Sequence, residues 1–344
     1  MTISNHDKWL ALTVEDPLEP DLPICDTHHH LWHNRSGVRY MLEEFLADTA
    51  SGHNITSTVY MDCGSMYRAD GPDAMKPVGE VEFANGVAAM CASGGFGPTR
   101  VAAGIVGYAN LSLGEAAGDV LEAEISHAPE RFRGIRFSTA LDPDPIISNR
   151  LGGSSARPIP PWGIFDDAKF REGFTALTRL NLSFDAWLYH TQIPLLTKLA
   201  TDFPNTQIIM NHGGGRMGLG SYAGKTEEMF ALWAANVTEL AKRENVAMKL
   251  GGGMLLGGEG WDKRERPASS QEFADIRRPY LMHCIEQFGP DRCTFESNFP
   301  VDNSVFGYGV LWNAYKRVAA DFSPAEKAAL FHDTAVRVYR INEG

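Results

Sequence analysis

Residues 24–33 read ICDTHHHLWH, and the fold turns on how this stretch is taken. An apolar start running into alternating positions suits a β-strand, whose period of two sends His28 and His30 to one face and His29 to the other. Two imidazoles on one strand face can hold a single metal ion. Ordinary packing gives no reason for three consecutive histidines after such a start. His28 and His30 are therefore read as functional, and His29 and His33 as packing or surface residues.

Outward from this strand, short β-branched or apolar runs recur at 55–63, 101–108, 132–138, 182–190, 207–212, 246–250 and 293–298, which with 24–32 makes eight. Helical stretches lie between them at 78–93, 113–128, 167–180, 193–202, 226–243 and 273–288. Alternating strand and helix implies a parallel sheet, and eight such units imply a (β/α)₈ TIM barrel. A helix pair at 309–320 and 324–340 would close the ring, with Ser323 capping and Pro324 in the first turn of the second helix. The expected organisation is a single barrel domain over 1–344, with an N-terminal extension at 1–21 and closing helices at 309–344.

Three loops, 64–77, 139–166 and 251–272, are longer than the ~12–15 residues usual in compact domains, and their place after strands two, four and seven suits pocket covers. The catalytic face of such a barrel is the carboxyl end of its strands. Decoration or an oligomer contact is the alternative use of these loops.

Composition narrows the function. A formal net charge of −12 disfavours nucleic acid as a partner, because that binding rests on neutralising phosphates with Lys and Arg. The five cysteines, Cys25, Cys63, Cys91, Cys284 and Cys293, form no CxxC pair, which disfavours a disulfide framework or a zinc ribbon and leaves burial as their role. The first residues, MTISNHDKWLALTVEDPLEPDLP, lack a basic stretch followed by an apolar one, and no apolar run is long enough for a membrane span. A cytoplasmic enzyme acting on a small molecule is expected, with a homo-oligomer left open.

Two further features lie on the other strands. Arg136 and Lys249 are single charges inside apolar runs, where an unpaired charge is costly to bury. Either they face the pocket and bind a substrate carboxylate or an oxyanion, or they form internal ion pairs with Asp185, Asp26 or Glu296. The Gly-rich stretches HGGGRMGLGSY (212–222) and GGGMLLGGEG (251–260) carry neither a phosphate-loop nor a dinucleotide pattern, so they read as loops. There is no GxSxG elbow for a serine hydrolase, although Ser297 lies near the expected site.

Asp26-Thr-His28-His-His30 resembles the HxH signature of the amidohydrolase superfamily, and more narrowly its amidohydrolase-2 lactonase and ester-hydrolase group. The likeness extends to RFRGIRF around Arg136, FPNTQIIMNHGGG around His212, NVAMKLGGG around Lys249, and RCTFESNFPVD. It implies a barrel with its site at the carboxyl strand ends, and hydrolysis of a carboxylic ester or lactone of a small organic acid. It also leaves room for a decarboxylase of the same superfamily. Metal use is uneven in that group, so either one divalent metal such as zinc is bound or the site is metal-free.

By the resemblance, His212 matches the strand-six histidine that orients water or polarises the carbonyl; a hydrogen-bonded wall histidine is the plainer reading. The single-zinc branch would make His190 a third metal ligand beside His28 and His30. If Trp187 and Tyr189 face inward instead, they supply a stacking wall and a hydroxyl for substrate, and His190 is structural.

Strand eight departs from the family, whose motif resembles GSDWP with Asp as ligand and base. Here Glu296-Ser-Asn298-Phe-Pro300 puts an amide, a weak ligand that takes no proton at neutral pH, at the Asp position. Glu296, two residues earlier, shares its face and is expected as general base or ligand, with Asn298 hydrogen-bonding substrate or water. A core pairing of Glu296 with Lys249 or Arg136 is the alternative, and Asp302 is a more distant candidate for the carboxylate. With the usual Asp gone, a non-catalytic small-molecule-binding barrel also stays open.

Overall fold

The strands, in chain order, are β1 (Ile24–His29), β2 (Trp32–Arg35), β3 (Val38–Tyr40), β4 (Ile55–Met61), β5 (Arg100–Gly107), β6 (Phe132–Ser138), β7 (Ser183–Trp187), β8 (Ile208–Met210), β9 (Val246–Leu250) and β10 (Cys293–Phe295). This is a computed structural model describing residues 5–149, 160–215, 218, 220–252 and 260–342. Parts of the expected loops 139–166 and 251–272, and of both Gly-rich stretches, lie outside the described residues.

Eight of these strands form one parallel sheet in the order β1-β4-β5-β6-β7-β8-β9-β10. Helices between consecutive strands make it the expected (β/α)₈ barrel. The ring is drawn together where β10 meets β1. There Asn298 N donates to His28 O and His30 N to Phe299 O, both at 2.8 Å, and Thr27 Oγ1 donates to Phe295 O at 2.9 Å. The remaining strands, β2 and β3, are a short antiparallel pair that splits the expected 24–32 run.

One helix shows how the outer layer is fastened. Asp167 caps the helix Ala168–Arg179 by accepting from Phe170 N at 2.9 Å. Its apolar face sets Phe170 and Phe174 against Phe137 of β6 and Phe184 of β7, with ring centroids 5.3 and 5.0 Å apart. Burying such a ring stabilises the fold by about 1.5–3 kcal/mol each. The cysteines are free and buried.

The barrel interior holds Cys25, Val59, Met61, Val106, Ile209 and Ala247, and the chain's last helix packs Ala335, Val338 and Tyr339 into the same cluster. Thr334 Oγ1 donates to Pro290 O (3.1 Å) just ahead of β10, and Arg340 reaches Arg133 O (3.2 Å) near the start of β6. The C-terminal segment therefore plugs the end where the strands begin. Ser323 caps its first turn, with Pro324 at the first helical position. The opposite end is left for the site. No helix among the described residues is long and apolar enough to cross a membrane.

Candidate active site

Cys25 faces the barrel interior, so strict alternation would turn Thr27 and His29 inward as well. The pairing of β1 with β4 shifts register between Asp26 and His29. Beyond that irregularity His28 and His30 share the pocket side. His29 lies on the other side, stacked on Phe45 at 4.1 Å and bonded through Nε2 to Thr58 Oγ1 at 2.9 Å.

His30 Nδ1 donates to the Met61 carbonyl at 2.7 Å. Its Nε2 lies 3.1 Å from His28 Nε2. On the far side of His28, Nδ1 is 2.8 Å from Glu296 Oε2. The second oxygen of Glu296 takes His212, with Nδ1 at 2.6 Å and the backbone N–H at 3.2 Å. One carboxylate thus bonds His212 and lies against His28, and the two ring centroids are 4.6 Å apart. Burial, and then the Lys249 charge, hold His28 well below the ordinary histidine range; burial, and then Arg136, do the same for His30. Burial thus favours the neutral rings, whose unprotonated nitrogens are lone-pair donors.

Local backbone explains how these side chains meet. His212 follows β8 with φ at +57°, a left-handed turn that costs a non-glycine residue energy and here swings its ring onto Glu296. Gly251 and Gly252 make room for the pair. A Cβ at Gly251 would lie 2.1 Å from Glu296 Cγ, and one at Gly252 would lie 2.6 Å from His212 Cγ. The glycines after β9 thus admit the protein's own catalytic candidates.

Several expectations change here. Glu296 is wholly buried with both oxygens against ring nitrogens, so it does not face an open water position as a direct base would. Asn298 also has left-handed backbone (φ +55°), and its Nδ2 donates to Asp302 Oδ1 at 2.9 Å, so the amide and the distant carboxylate satisfy each other. Lys249 is fully buried and takes the internal alternative. Its Nζ is 2.9 Å from Asp185 Oδ1, which also accepts from Tyr339 OH and Asn211 Nδ2, each at 2.8 Å.

His190 stands apart from the histidine cluster, because β7 ends at Trp187 and the chain turns away over His190–Gln192. Its buried ring meets the edge of Tyr222 at 4.8 Å. Trp187 instead comes within 6.5 Å of His212, edge to face, while Tyr189 packs with Ala140 and Ile147. Arg136 does reach the cluster. Its Nη1 is 3.3 Å from His28 Nε2 and its Nη2 donates to the Asp62 carbonyl. Ser297 Oγ donates to His28 O at 3.2 Å and accepts from Phe299 N at 3.1 Å, which occupies it structurally.

His28, His212 and Glu296 each offer a ligand atom within 4.8 Å of the others, the grouping among the described residues able to hold a metal ion. Two contributors had no signal in the sequence, the carbonyls of Met61 and Asp62, which are backbone atoms. The sequence did carry one overlooked hint. Asp142 accepts from Tyr222 OH at 3.0 Å and from Thr191 Oγ1 at 3.2 Å, tying together the loops after β6, β7 and β8, and all three residues are polar side chains in segments already marked as loops or strand ends.

The amidohydrolase family model matches residues 25–341, nearly the whole chain. The chain belongs to the amidohydrolase family. It is similar to the uncharacterized protein y4mH of Sinorhizobium fredii, at 34% identity over 342 residues, 93% of this chain and 99% of that protein. An L-fucono-1,5-lactonase of Burkholderia ambifaria is 26% identical over 250 residues, 71% of this chain and 72% of its own. Among solved structures, an amidohydrolase from Burkholderia multivorans with bound HEPES superposes with a TM-score of 0.70 at 21% identity, covering 93% of this chain and 99% of that one. A second crystal form of that protein, with zinc bound, gives 0.68. At such identity these structures speak for the fold alone. The family and its lactonase relatives make this chain an enzyme of the amidohydrolase type.

Proposed function

We propose that this amidohydrolase hydrolyses a carboxylic ester or lactone of a small organic acid, with water as the nucleophile. The observation that carries the reading is the Glu296 carboxylate held between His28 and His212 beside Arg136. A histidine whose Nδ1–H is fixed on a buried carboxylate keeps Nε2 as a positioned base, the logic of an acid–base dyad. His212 is that base and Glu296 is its positioning residue.

Water oxygen adds to the carbonyl carbon while its proton passes to His212 Nε2. Arg136 stabilises the oxyanion or holds a substrate carboxylate, and Trp187 forms the wall beside His212. The C–O bond then breaks, and the leaving alkoxide recovers the proton from His212. Ring opening yields a hydroxy acid. The committed hydroxyl of Ser297 and the buried cysteines support water rather than a side chain as the nucleophile.

A divalent ion such as zinc fits the donor set in kind, being two imidazoles of which His30 has its second nitrogen fixed by Met61 O and His28 has its second nitrogen beside the Glu296 carboxylate. His28 would hold it, with His30 or with His212 and Glu296, and bound there it would polarise the carbonyl and lower the pKa of water. Free, buried cysteines support a reducing compartment, the cytoplasm, as the enzyme's place.

A panel of sugar-acid and aromatic lactones, followed by a pH indicator against spontaneous hydrolysis, tests the reading. Ester hydrolysis releases a proton, whereas decarboxylation of candidate aromatic acids consumes one and liberates carbon dioxide. Proton release with a hydroxy-acid product is expected. Proton uptake would move the enzyme to the decarboxylases, and tight binding without turnover would make it a binding barrel.

A further inference from the structure

His30 Nδ1 faces a backbone carbonyl, which can only accept, so the ring proton sits there and Nε2 is a bare lone pair in the neutral ring. That lone pair points at His28 Nε2, 3.1 Å away. His28 Nδ1 lies 2.8 Å from Glu296 Oε2 without a hydrogen bond between them, and its Nε2 is met by both His30 Nε2 and Arg136 Nη1. A positive charge beside the Nε2 pair is favourable to both nitrogens.

Two imidazole nitrogens bound at ~2.0–2.1 Å to one tetrahedral ion are ~3.3 Å apart, so the observed spacing suits a metal seat. The seat already has a cation beside it. Arg136 Nη1 lies 3.3 Å from His28 Nε2, and its Nη2 is anchored on the Asp62 carbonyl at the end of β4. A guanidinium keeps its charge at any physiological pH. Catalytic zinc usually has three protein ligands. Here Asn298, at the usual third position, is spent on Asp302, and His190 is turned against Tyr222.

We propose that Arg136 is the resident cation of the His28–His30 pair and competes with a divalent metal ion for that seat. A dipositive ion at the two Nε2 atoms would sit against a fixed positive charge with two imidazoles to hold it. The guanidinium thereby performs part of what a metal does elsewhere: it orders both rings and presents positive charge to the substrate oxygen. The inference deepens the reading of the site but rests on no substrate, because metal affinity is read without one. Failure of the lactone panel leaves it standing, and its own failure leaves ester hydrolysis intact.

The test is zinc affinity of the chelator-stripped protein, by calorimetry and by competition with a chromophoric chelator, for the wild type, Arg136→Met, Arg136→Gln and Arg136→Lys. Circular dichroism first checks that each variant is folded. Removing the charge should tighten zinc binding by about ten-fold or more, since the repulsion it exerts is lost. Arg136→Lys keeps the charge and should bind zinc close to the wild type, whereas Arg136→Gln, which also lacks the charge, should bind it as tightly as the Met variant and carries the test if the Met variant does not fold. Adding His28→Asn should abolish the gain. Unchanged or weaker zinc binding in the uncharged Arg136 variants would overturn the proposal, and so would a gain that survives His28→Asn, because the ion would then be bound elsewhere.

Discussion

Two buried polar groups share the inside of this barrel, and they are finished differently. In the interior group, Lys249 sits on Asp185, Tyr339 OH and Asn211 donate to the same carboxylate, and the Tyr339 ring lies 5.2 Å from the ammonium. Charge is matched where it lies. In the mouth group, His28 and His30 turn nitrogens toward each other, Glu296 lies against two rings at once, and both His212 and Asn298 take left-handed backbone. A compensated pair contributes to folding and has little left for a ligand. The mouth group keeps its demand for a proton, a cation or a substrate, and strain of this kind collects at functional sites.

That contrast can be broken at either end. The largest effect is expected at the mouth. Glu296→Gln keeps the shape but not the charge, and kcat on a lactone substrate should fall by about 10²–10⁴-fold with the circular dichroism spectrum unchanged. Near-normal turnover would remove Glu296 as the positioning carboxylate.

At the interior group the loss should be of stability. Asp185→Ala strands a buried ammonium and should cost about 3–5 kcal/mol in urea unfolding, whereas the apolar double variant Asp185→Leu/Lys249→Met should recover most of it. If the single variant is nearly neutral, the interior charges are not held as a pair. Tyr339→Phe removes one hydrogen bond to that carboxylate and should cost about 1–3 kcal/mol with kcat changed less than about two-fold. A large drop in kcat would join the two groups into one.

The smallest effect sharpens the contrast within a single strand. His29→Phe preserves the stack on Phe45 and loses the bond to Thr58, a cost of about 0.5–1.5 kcal/mol in thermal unfolding. Its kcat should stay at the wild-type level. Loss of activity there would contradict the division of the three histidines between two faces.

How far the site was legible depends on the kind of relation that defines each residue. The separation of His29 from His28 and His30 follows from the period of a strand, but the register shift after Asp26 decided which of them face the pocket. Arg136 was legible as a lone charge in an apolar run, but Lys249 carries the same signal and has the opposite fate. What separates them is the partner. Lys249 meets an aspartate from β7 inside the barrel, while Arg136 reaches a histidine of the mouth cluster. Ionic partners far apart in the chain cannot be assigned from spacing. The strand ends were read too long at β7, β8 and β10 because polar residues past each strand continue the apolar run without continuing its backbone.

By itself the sequence determined the alternation of strands and helices, hence the parallel barrel, and the placing of His28, His30, His212 and Glu296 each at or near a strand end. Those follow from periodicity and from the cost of burying polar groups without a purpose. The tertiary structure alone decided which nitrogen of each ring meets which neighbour, that Glu296 lies buried between His28 and His212, and that Arg136 stands at the Nε2 pair. These outcomes rest on a shifted register, on left-handed turns and on backbone carbonyls brought in from other strands. Such relations are distances between residues remote in the chain, and a linear pattern does not encode them.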